Sequence, residues 1–304
     1  MNFEDRLRVY SKKAKVLTKF NPFQSRVCPP RLEVNVYTGC AFQCKYCYAR
    51  AYIRDFNRPR CKPDFKENLE EDVERALQLG LNKLPVGISN SCEPFQPLED
   101  KYKHALFAIK LLTDNDFHLI IITKNPSKLT EPEYLDAMDP KRTFIEVTIP
   151  FLDSRFFEPY APPTMERIKS ITALNELDYT VAVRVDPIVP SYGSIPGQSP
   201  SEVETLIDQL HKAGVRFIIA KCLRLVGATT KAYPEFYHAL RPYYQLNGKW
   251  TKNCYELKNE VKQELHKPVY QACVKRGILY STCMDEVRLP GSAMCDQSNL
   301  FFYR

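Results

Sequence analysis

Hydrophobic positions along the chain follow two spacings, one typical of strands and one typical of helices. Short apolar runs predict buried strands at Leu32–Tyr37, Val86–Ser89, His118–Thr123, Thr143–Ile149, Thr180–Val185 and Val215–Ala220. Helical stripes fall between them at Phe65–Leu79, Tyr102–Leu112, Met165–Leu177 and Glu202–His211. Strands that alternate with helices predict right-handed crossovers and a parallel sheet.

Six such units occupy residues 31–225. A closed eightfold barrel typically needs about 250 residues, so the pattern favours an α/β fold built on a partial (β/α)6 TIM-like barrel. A doubly wound sheet is the alternative, although no G-x-G-x-x-G follows the first strand. Residues 1–30 are predicted to be an N-terminal basic arm. Residues 226–304 are predicted to be a mostly helical C-terminal extension that closes with a short strand at Gly277–Thr282.

Composition narrows the class of protein. Hydrophobic residues make up 44% and charged residues 26%, as in ordinary soluble globular proteins, which argues against disorder. The apolar runs are too short to span a membrane, and the N-terminus has no apolar signal core. We therefore expect a cytoplasmic protein, in which disulfides are disfavoured. The 11 cysteines consequently need an explanation other than cross-linking.

Three cysteines have the spacing of a local metal site. Cys40, Cys44 and Cys47 form a C-x3-C-x2-C motif that follows the first predicted strand. A structural zinc ion and a cubane iron–sulfur cluster each require four ligands, so three thiolates leave one position open. An open position is what a catalytic cluster needs in order to bind a cosubstrate. The alternative is a zinc knuckle completed by Cys28 or Cys61.

Polar residues follow the other predicted strands. In parallel α/β barrels the chemistry lies where strands end, so these residues are predicted to surround one pocket together with the cysteine loop. The set comprises Glu93, Lys124, Glu146, Thr148, Arg184 and Asp186. Alternation along the strand leaves open whether Glu146 faces the pocket. Asp186 is either a ligand or a cap for the turn before Pro187.

The cysteine motif, with Tyr46 before its last cysteine, resembles the signature of the radical S-adenosylmethionine superfamily. The likeness covers residues 31–225. More narrowly, the chain is similar to the spore photoproduct lyase-like branch. The similar segments are YTGC at 37–40, YCYAR at 46–50, EPFQP at 93–97, ITK at 122–124 and RVDPI at 184–188.

This resemblance implies a cofactor and a mechanism. Cys40, Cys44 and Cys47 would hold three irons of a [4Fe-4S] cluster, and the fourth iron would bind S-adenosylmethionine. Reductive cleavage would give methionine and a 5′-deoxyadenosyl radical, which abstracts a hydrogen from the substrate. The cofactor supplies the chemistry, and the protein supplies orientation and exclusion of water.

The resemblance also implies roles for residues that contact S-adenosylmethionine. Glu93 would face its ammonium, although the glycines that precede this position in the family are missing here. Lys124 or Arg184 would meet its carboxylate. Thr148 and Asp186 are further candidate contacts. The adenine would lie against Tyr46 and the backbone that begins at Ile188.

Other cysteines have candidate roles that are less specific. Cys92 ends the second predicted strand beside the pocket and is a candidate hydrogen donor to a product radical, because spore photoproduct lyase uses a cysteine in this region. A buried free cysteine is also commonly just a small hydrophobic residue. A second, auxiliary metal site is a further candidate. Its ligands would be Cys254, Cys273, Cys283 and Cys295.

The substrate is the least constrained part of the prediction. The net charge of +7 and the basic cluster within residues 6–19 suit nucleic acid, which makes a photolesion repair reaction the first hypothesis. A peptide or a small molecule is the alternative. An electron donor such as flavodoxin or ferredoxin is an implied partner. From a different class, the chain could be a non-catalytic metal-binding protein associated with nucleic acid.

Overall fold

The computed structural model describes residues 2–20, 28–290 and 295. Its first part contains helix α1 (Phe3–Ser11) and strand β1 (Leu17–Lys19). Leu7 and Tyr10 of α1 are buried, and β1 pairs antiparallel with β2 (Leu32–Val34). The described part of the predicted basic arm therefore contributes a helix and an edge strand to the main fold.

The centre of the molecule is one eight-stranded sheet whose strands are mostly parallel. After β2, the chain forms the small hairpin strands β3 (Tyr37–Thr38) and β4 (Arg60–Cys61). The next elements are α2 (Phe65–Gln78), β5 (Val86–Ile88), α3 (Leu98–Tyr102), α4 (His104–Asp114), β6 (Leu119–Thr123), α5 (Pro132–Leu135), β7 (Thr143–Thr148) and α6 (Thr164–Glu176). They are followed by β8 (Thr180–Ile188), α7 (Pro200–Lys212) and β9 (Phe217–Cys222).

The extension after the barrel is mostly helical, as predicted, and it also contains short strands. It comprises β10 (Leu225–Val226), α8 (Thr229–Ala232), α9 (Pro234–Asn247), β11 (Gly248–Thr251), β12 (Cys254–Leu257), α10 (Asn259–Lys275) and β13 (Leu279–Thr282). Strands β10, β12 and β11 form a separate antiparallel sheet, which the sequence analysis did not predict. The closing strand was predicted, and it pairs parallel with β9.

The order of strands in the main sheet is β1-β2-β5-β6-β7-β8-β9-β13. Every pair from β2 to β13 is parallel, with helices packed on the outer face. The prediction of a partial barrel is confirmed, with β13 as an additional parallel strand. No helix in the described residues is long and apolar enough to cross a membrane.

Two apolar layers follow from strand alternation, because successive side chains of a strand point to opposite faces. The outer layer is the large core between sheet and helices, and it includes Ile121, Val147 and Val183. The inner layer fills the bottom of the barrel. Its buried members are Ile120, Phe144, Ala182, Phe217 and Ile219. The residues that follow these in register therefore point into the barrel lumen.

Candidate functional site

The loop that carries the three cysteines is held by contacts from several parts of the chain. Gly39 begins it with φ of +80°, and a Cβ there would lie 2.6 Å from the carbonyl oxygen of Phe56, so glycine is required. The Lys45 amide donates to the Phe157 carbonyl at 2.9 Å, and the Tyr233 hydroxyl donates to the Gln43 carbonyl at 2.6 Å. The loop therefore keeps its shape through bonds to the barrel and to the extension.

The three sulfurs of this loop offer three thiolate ligands in one short segment. Cys40 and Cys44 are 8% and 6% exposed, and Cys47 is half-buried. A structural zinc ion takes four protein ligands, one more than the loop provides. A cubane has four irons, so three thiolates would hold three of them and leave the fourth open.

Burial keeps these thiols protonated in the absence of a cation. It raises the pKa of Cys44 to about 12 and that of Cys40 well above the usual value. Neighbouring sulfur atoms add to the rise at both. Because the thiolate is the form that binds metal, binding of a metal here would release protons.

A buried charge network lies directly behind the loop. Glu158 and Arg167 form an ion pair at 2.6 Å, and both side chains are 0% exposed. The Tyr46 hydroxyl donates to the same Glu158 carboxylate. Arg167 also donates to the carbonyls of Thr148 and Pro162, each at 2.8 Å. Tyr46, predicted to contact adenine, is thus tied by its hydroxyl to the β7–α6 segment.

Lys124, predicted to meet a carboxylate, lies on the cysteine side of the lumen. Its ammonium is 5.6 Å from the centre of the Tyr46 ring. Burial alone would lower its pKa, but the Cys44 sulfur and the Glu158 carboxylate raise it above the usual value. The residue is therefore a cation next to the loop.

Glu93 is buried and already accepts several hydrogen bonds. The Thr123 hydroxyl donates to one of its oxygens at 2.5 Å, and the Lys124 amide donates to the other at 2.9 Å. Burial raises its pKa, and these bonds oppose the rise. The carboxylate thus joins the end of β5 to the end of β6, beside Cys40.

Strands β7 and β8 direct a second charge network into the lumen. Arg184 donates to Glu146 at 2.7 Å and to Asp186 at 2.8 Å. Glu146 therefore faces the pocket, which settles the alternation that the sequence left open. Thr148 lies on the same face of β7 and is buried. Burial would lower the pKa of Arg184, but Cys283 and the two carboxylates raise it.

The backbone after β8 is fixed by a side chain that the sequence analysis did not single out. Gln198 accepts from the Val189 amide at 2.7 Å and donates to the Pro187 carbonyl at 2.9 Å. The Ile188 carbonyl accepts from the Leu223 amide at 2.9 Å, and the Ile188 side chain is buried. The predicted adenine contact at Ile188 would therefore use a rigid stretch of backbone.

Two tyrosines at the mouth of the lumen were not predicted as site residues. Tyr48 and Tyr52 are 46% and 57% exposed, with ring centres 6.1 Å apart. The Lys221 ammonium lies 5.8 Å from the Tyr48 ring. Alternation along β9 places Lys221 on the lumen face with Phe217 and Ile219, so strand register indicates its position. Tyr48 and Tyr52 follow Cys47 outside any strand, where register gives no signal.

Cys92 lies in the large core, not with the inner-layer residues. It is buried, its pKa is raised to about 11, and its neighbours include the Tyr37 amide and Ser89. The four C-terminal cysteines do not all meet in the described structure. Cys254 lies in the small sheet and Cys273 is buried in α10, whereas Cys283 and Cys295 contact each other.

The group whose ligand atoms do converge is Cys222, His266 and Asp285. Asp285 accepts from the Cys222 amide at 2.6 Å and pairs with His266 at 3.0 Å through the same oxygen. Its other oxygen pairs with the Lys262 ammonium at 3.1 Å. The carboxylate is thus satisfied by protein donors, so we interpret the cluster as a buried link between β9, α10 and the end of β13.

We expect this link to make stability depend on acid pH. Burial would raise the pKa of Asp285, but His266 and Lys262 lower it from 3.8 to about 2. A lowered folded-state pKa stabilises above the unfolded value, and the stabilisation is lost as pH falls towards 2, a change of about 2 kcal/mol. Urea unfolding from about pH 5 to about pH 2.5 should show this loss, and Asp285→Asn should remove it. Equal pH slopes in both proteins would contradict the assignment.

Comparison with solved structures places the fold in a class. Structures of spore photoproduct lyase superpose with a TM-score of 0.66 over 91% of this chain and 84% of theirs, at 16% sequence identity. One of these is a mutant with bound AdoMet and dinucleoside spore photoproduct. Streptococcus suis SuiB bound to precursor peptide SuiA gives a TM-score of 0.54 over 92% of this chain and 52% of its own. The fold implied by the sequence resemblance is confirmed.

Sequence relatives carry no stated activity. Uncharacterized proteins of Mycobacterium tuberculosis and Mycobacterium bovis are 26% identical over 237 residues, which is 71% of this chain and 68% of theirs. An uncharacterized protein of Methanocaldococcus jannaschii is 25% identical over 241 residues, or 76% of this chain and 83% of its own. No protein-family model matches the sequence.

Proposed function

We propose that this protein is a radical S-adenosylmethionine enzyme. The observation that carries the proposal is the loop with Cys40, Cys44 and Cys47. Its three thiols are buried or half-buried, and the loop lies at the carboxyl end of the barrel strands. The fold shared with spore photoproduct lyase and SuiB supports the same class. A structural zinc site takes four protein ligands, and the motif supplies three, which favours a cluster with an open position over a non-catalytic zinc module.

The chain provides a complete set of groups for this chemistry. When bound, a reduced [4Fe-4S] cluster with S-adenosylmethionine supplies a 5′-deoxyadenosyl radical. The three cysteines would hold three irons and leave the fourth open. Asp186, whose side chain is 25% exposed, would meet the ammonium of S-adenosylmethionine, with the buried Glu93 as the alternative. Lys124 or Arg184 would meet its carboxylate.

The walls of the lumen exclude water from such a radical. The bottom is closed by the inner apolar layer that includes Phe144, Phe217 and Ile219. Thr148 supplies a hydroxyl at the next level. Dry surroundings prevent a reactive intermediate from being lost to side reactions.

For the substrate we propose nucleic acid, by a lyase reaction like photolesion repair. Tyr48 and Tyr52 at the mouth can stack on bases, and Lys221 can meet a phosphate. Arg54 and Arg58 are exposed on the loop that follows. The dinucleoside photoproduct bound to spore photoproduct lyase is consistent with this choice. The peptide bound to SuiB makes a peptide the second candidate. A flavodoxin or ferredoxin would be the electron donor, and the cytoplasm the location.

Anaerobic reconstitution tests the class and the substrate separately. We expect about four irons per chain, since one cubane would be bound. Adding dithionite and S-adenosylmethionine should give 5′-deoxyadenosine. Production that rises with DNA containing the spore photoproduct would support the substrate, whereas a rise only with peptides would support the second candidate. A colourless protein with tightly bound zinc would contradict the class. Near eight irons would support an auxiliary cluster.

Within this proposal Cys92 is the hydrogen donor to the product radical. Its support is its thiol chemistry and its position after β5, although its contacts lie in the core rather than in the lumen. Cys92→Ala should change the distribution of products while leaving 5′-deoxyadenosine formation intact. Cys92→Ser is the matched control for size. An unchanged distribution in both variants would rule out the donor role.

A further inference from the structure

Two cysteines outside the cluster loop meet inside the barrel. Cys283 follows β13, and its amide donates to the Ala220 carbonyl at 2.9 Å, which extends the pairing with β9. Strand alternation puts its side chain on the same face as Leu279. Cys283 and Cys295 both pack against the inner apolar layer. Cys295 is thus a second thiol beside the same apolar layer.

We propose that Cys283 and Cys295 form a reversible dithiol–disulfide site in the lumen. The two thiols contact each other through a sulfur–sulfur hydrogen bond, and both are unpaired by disulfides and only half-buried. Each sulfur lies next to the sulfur that would resolve a mixed disulfide formed on it. This site uses none of the residues that would hold the cluster, so it goes beyond the proposed function.

The surroundings favour attack by Cys283. The hydrogen bond from Cys295 lowers the pKa of Cys283, burial opposes this, and the cations Arg184 and Lys221 lower it further. Burial instead raises the pKa of Cys222, Cys254 and Cys273, so these thiols are less reactive. A thiolate beside a thiol is the usual arrangement of an attacking and a resolving cysteine.

The oxidant in this exchange would be a low-molecular-weight disulfide such as oxidised glutathione. The Cys283 thiolate attacks one of its sulfurs, forms a mixed disulfide and releases one glutathione thiolate. Cys295 loses its proton, attacks the Cys283 sulfur and releases the second glutathione. The protein gives up two electrons, and the oxidised glutathione becomes two thiols. The product would tie the last part of the chain across the lumen.

Peptide mapping tests the site directly on the full chain. Oxidised glutathione is added, free thiols are blocked with N-ethylmaleimide, and the unreduced protein is digested with trypsin. Cleavage after Arg276 and Arg288 separates the two cysteines into peptides 277–288 and 289–304. We expect these two peptides to be joined, and dithiothreitol to release them. Guanidinium-unfolded protein, in which pairings scramble, is the control for native proximity.

Variants test whether the link depends on the pairing of Cys283 with Cys295. They also test whether it forms independently of the cluster. Cys295→Ser should stop at a mixed disulfide on Cys283, and Cys283→Ser should give no link. Lys221→Met should slow linking, by about threefold for each unit that the Cys283 pKa rises above the assay pH, because the thiolate becomes rarer but more nucleophilic, whereas Lys221→Arg should not. The link should also form in the Cys40, Cys44 and Cys47 triple alanine variant, so a failure of the proposed function would not affect it. No native link between these peptides, or equal linking among buried cysteines, would overturn the proposal.

Discussion

Replacing Cys40, Cys44 and Cys47 together with alanine is expected to give a colourless protein that forms no 5′-deoxyadenosine. The reason is that the cluster would lose every protein ligand, and no other described group offers three thiols at this rim. Iron content after anaerobic reconstitution should fall to background, and so should reductive cleavage of S-adenosylmethionine. Single alanine variants should lose most of both, because two thiolates cannot hold a cubane firmly.

Matched controls come from the chain's other cysteines. Cys61→Ala and Cys254→Ala remove thiols of the described chain that lie outside the loop and should leave iron content and cleavage near the wild-type level. The fold of the triple variant should persist, since the apolar core lies elsewhere. Retention of bound iron and cleavage by the triple variant would refute the assignment of the ligands. Loss of iron in the Cys61 variant would instead favour the zinc-knuckle alternative.

Replacing Arg167 with methionine is expected to destabilise the protein by about 3–5 kcal/mol, because the Glu158 carboxylate would remain buried without its partner. The carbonyls of Thr148 and Pro162 would also lose a donor. Urea unfolding of the anaerobic protein measures the change. The double variant with Glu158→Leu should regain part of the loss, since it removes the unpaired charge.

An exposed ion pair provides the contrast for this experiment. Arg155 and Asp153 are also bonded, but their side chains are 85% and 58% exposed. Arg155→Ala should therefore leave the free energy of unfolding nearly unchanged. If Arg167→Met cost no more than Arg155→Ala, the buried pair would not be a structural support of the cysteine loop.

The sequence predicted the barrel well because its signal is physical and local. Runs such as Thr143–Ile149 are buried on both faces, which produces the continuous apolar pattern of a parallel strand. The observed β7 (Thr143–Thr148) differs from that prediction by one residue. The small sheet β10-β12-β11 escaped because its strands are two to four residues long and only partly apolar.

The candidate site likewise contains residues that the sequence could predict and residues that it could not. The cysteines are found from spacing, and Arg184 with Asp186 from their place at a strand end. The partner of Tyr46 could not be found, because Glu158 is remote in sequence and joins it only through the fold. The direction of the Glu146 side chain could not be predicted, since a shift of one residue in register turns it to the other face of the strand. Tyr48 could not be distinguished from Tyr46 by the motif, because the two tyrosines flank the same cysteine, Cys47.

The order of the strands affects how a large substrate could approach the lumen of the barrel. Within the described residues, the sheet ends at β1 on one side and at β13 on the other, and these strands are not paired with each other. A closed barrel can be approached only from its ends, whereas an open one also has a gap between its two edge strands. If the substrate is a polymer, as we propose, one base or residue could enter the lumen while its neighbours in the chain lie along this gap. Such a lateral approach would place no limit on the length of the polymer on either side of the reacting group.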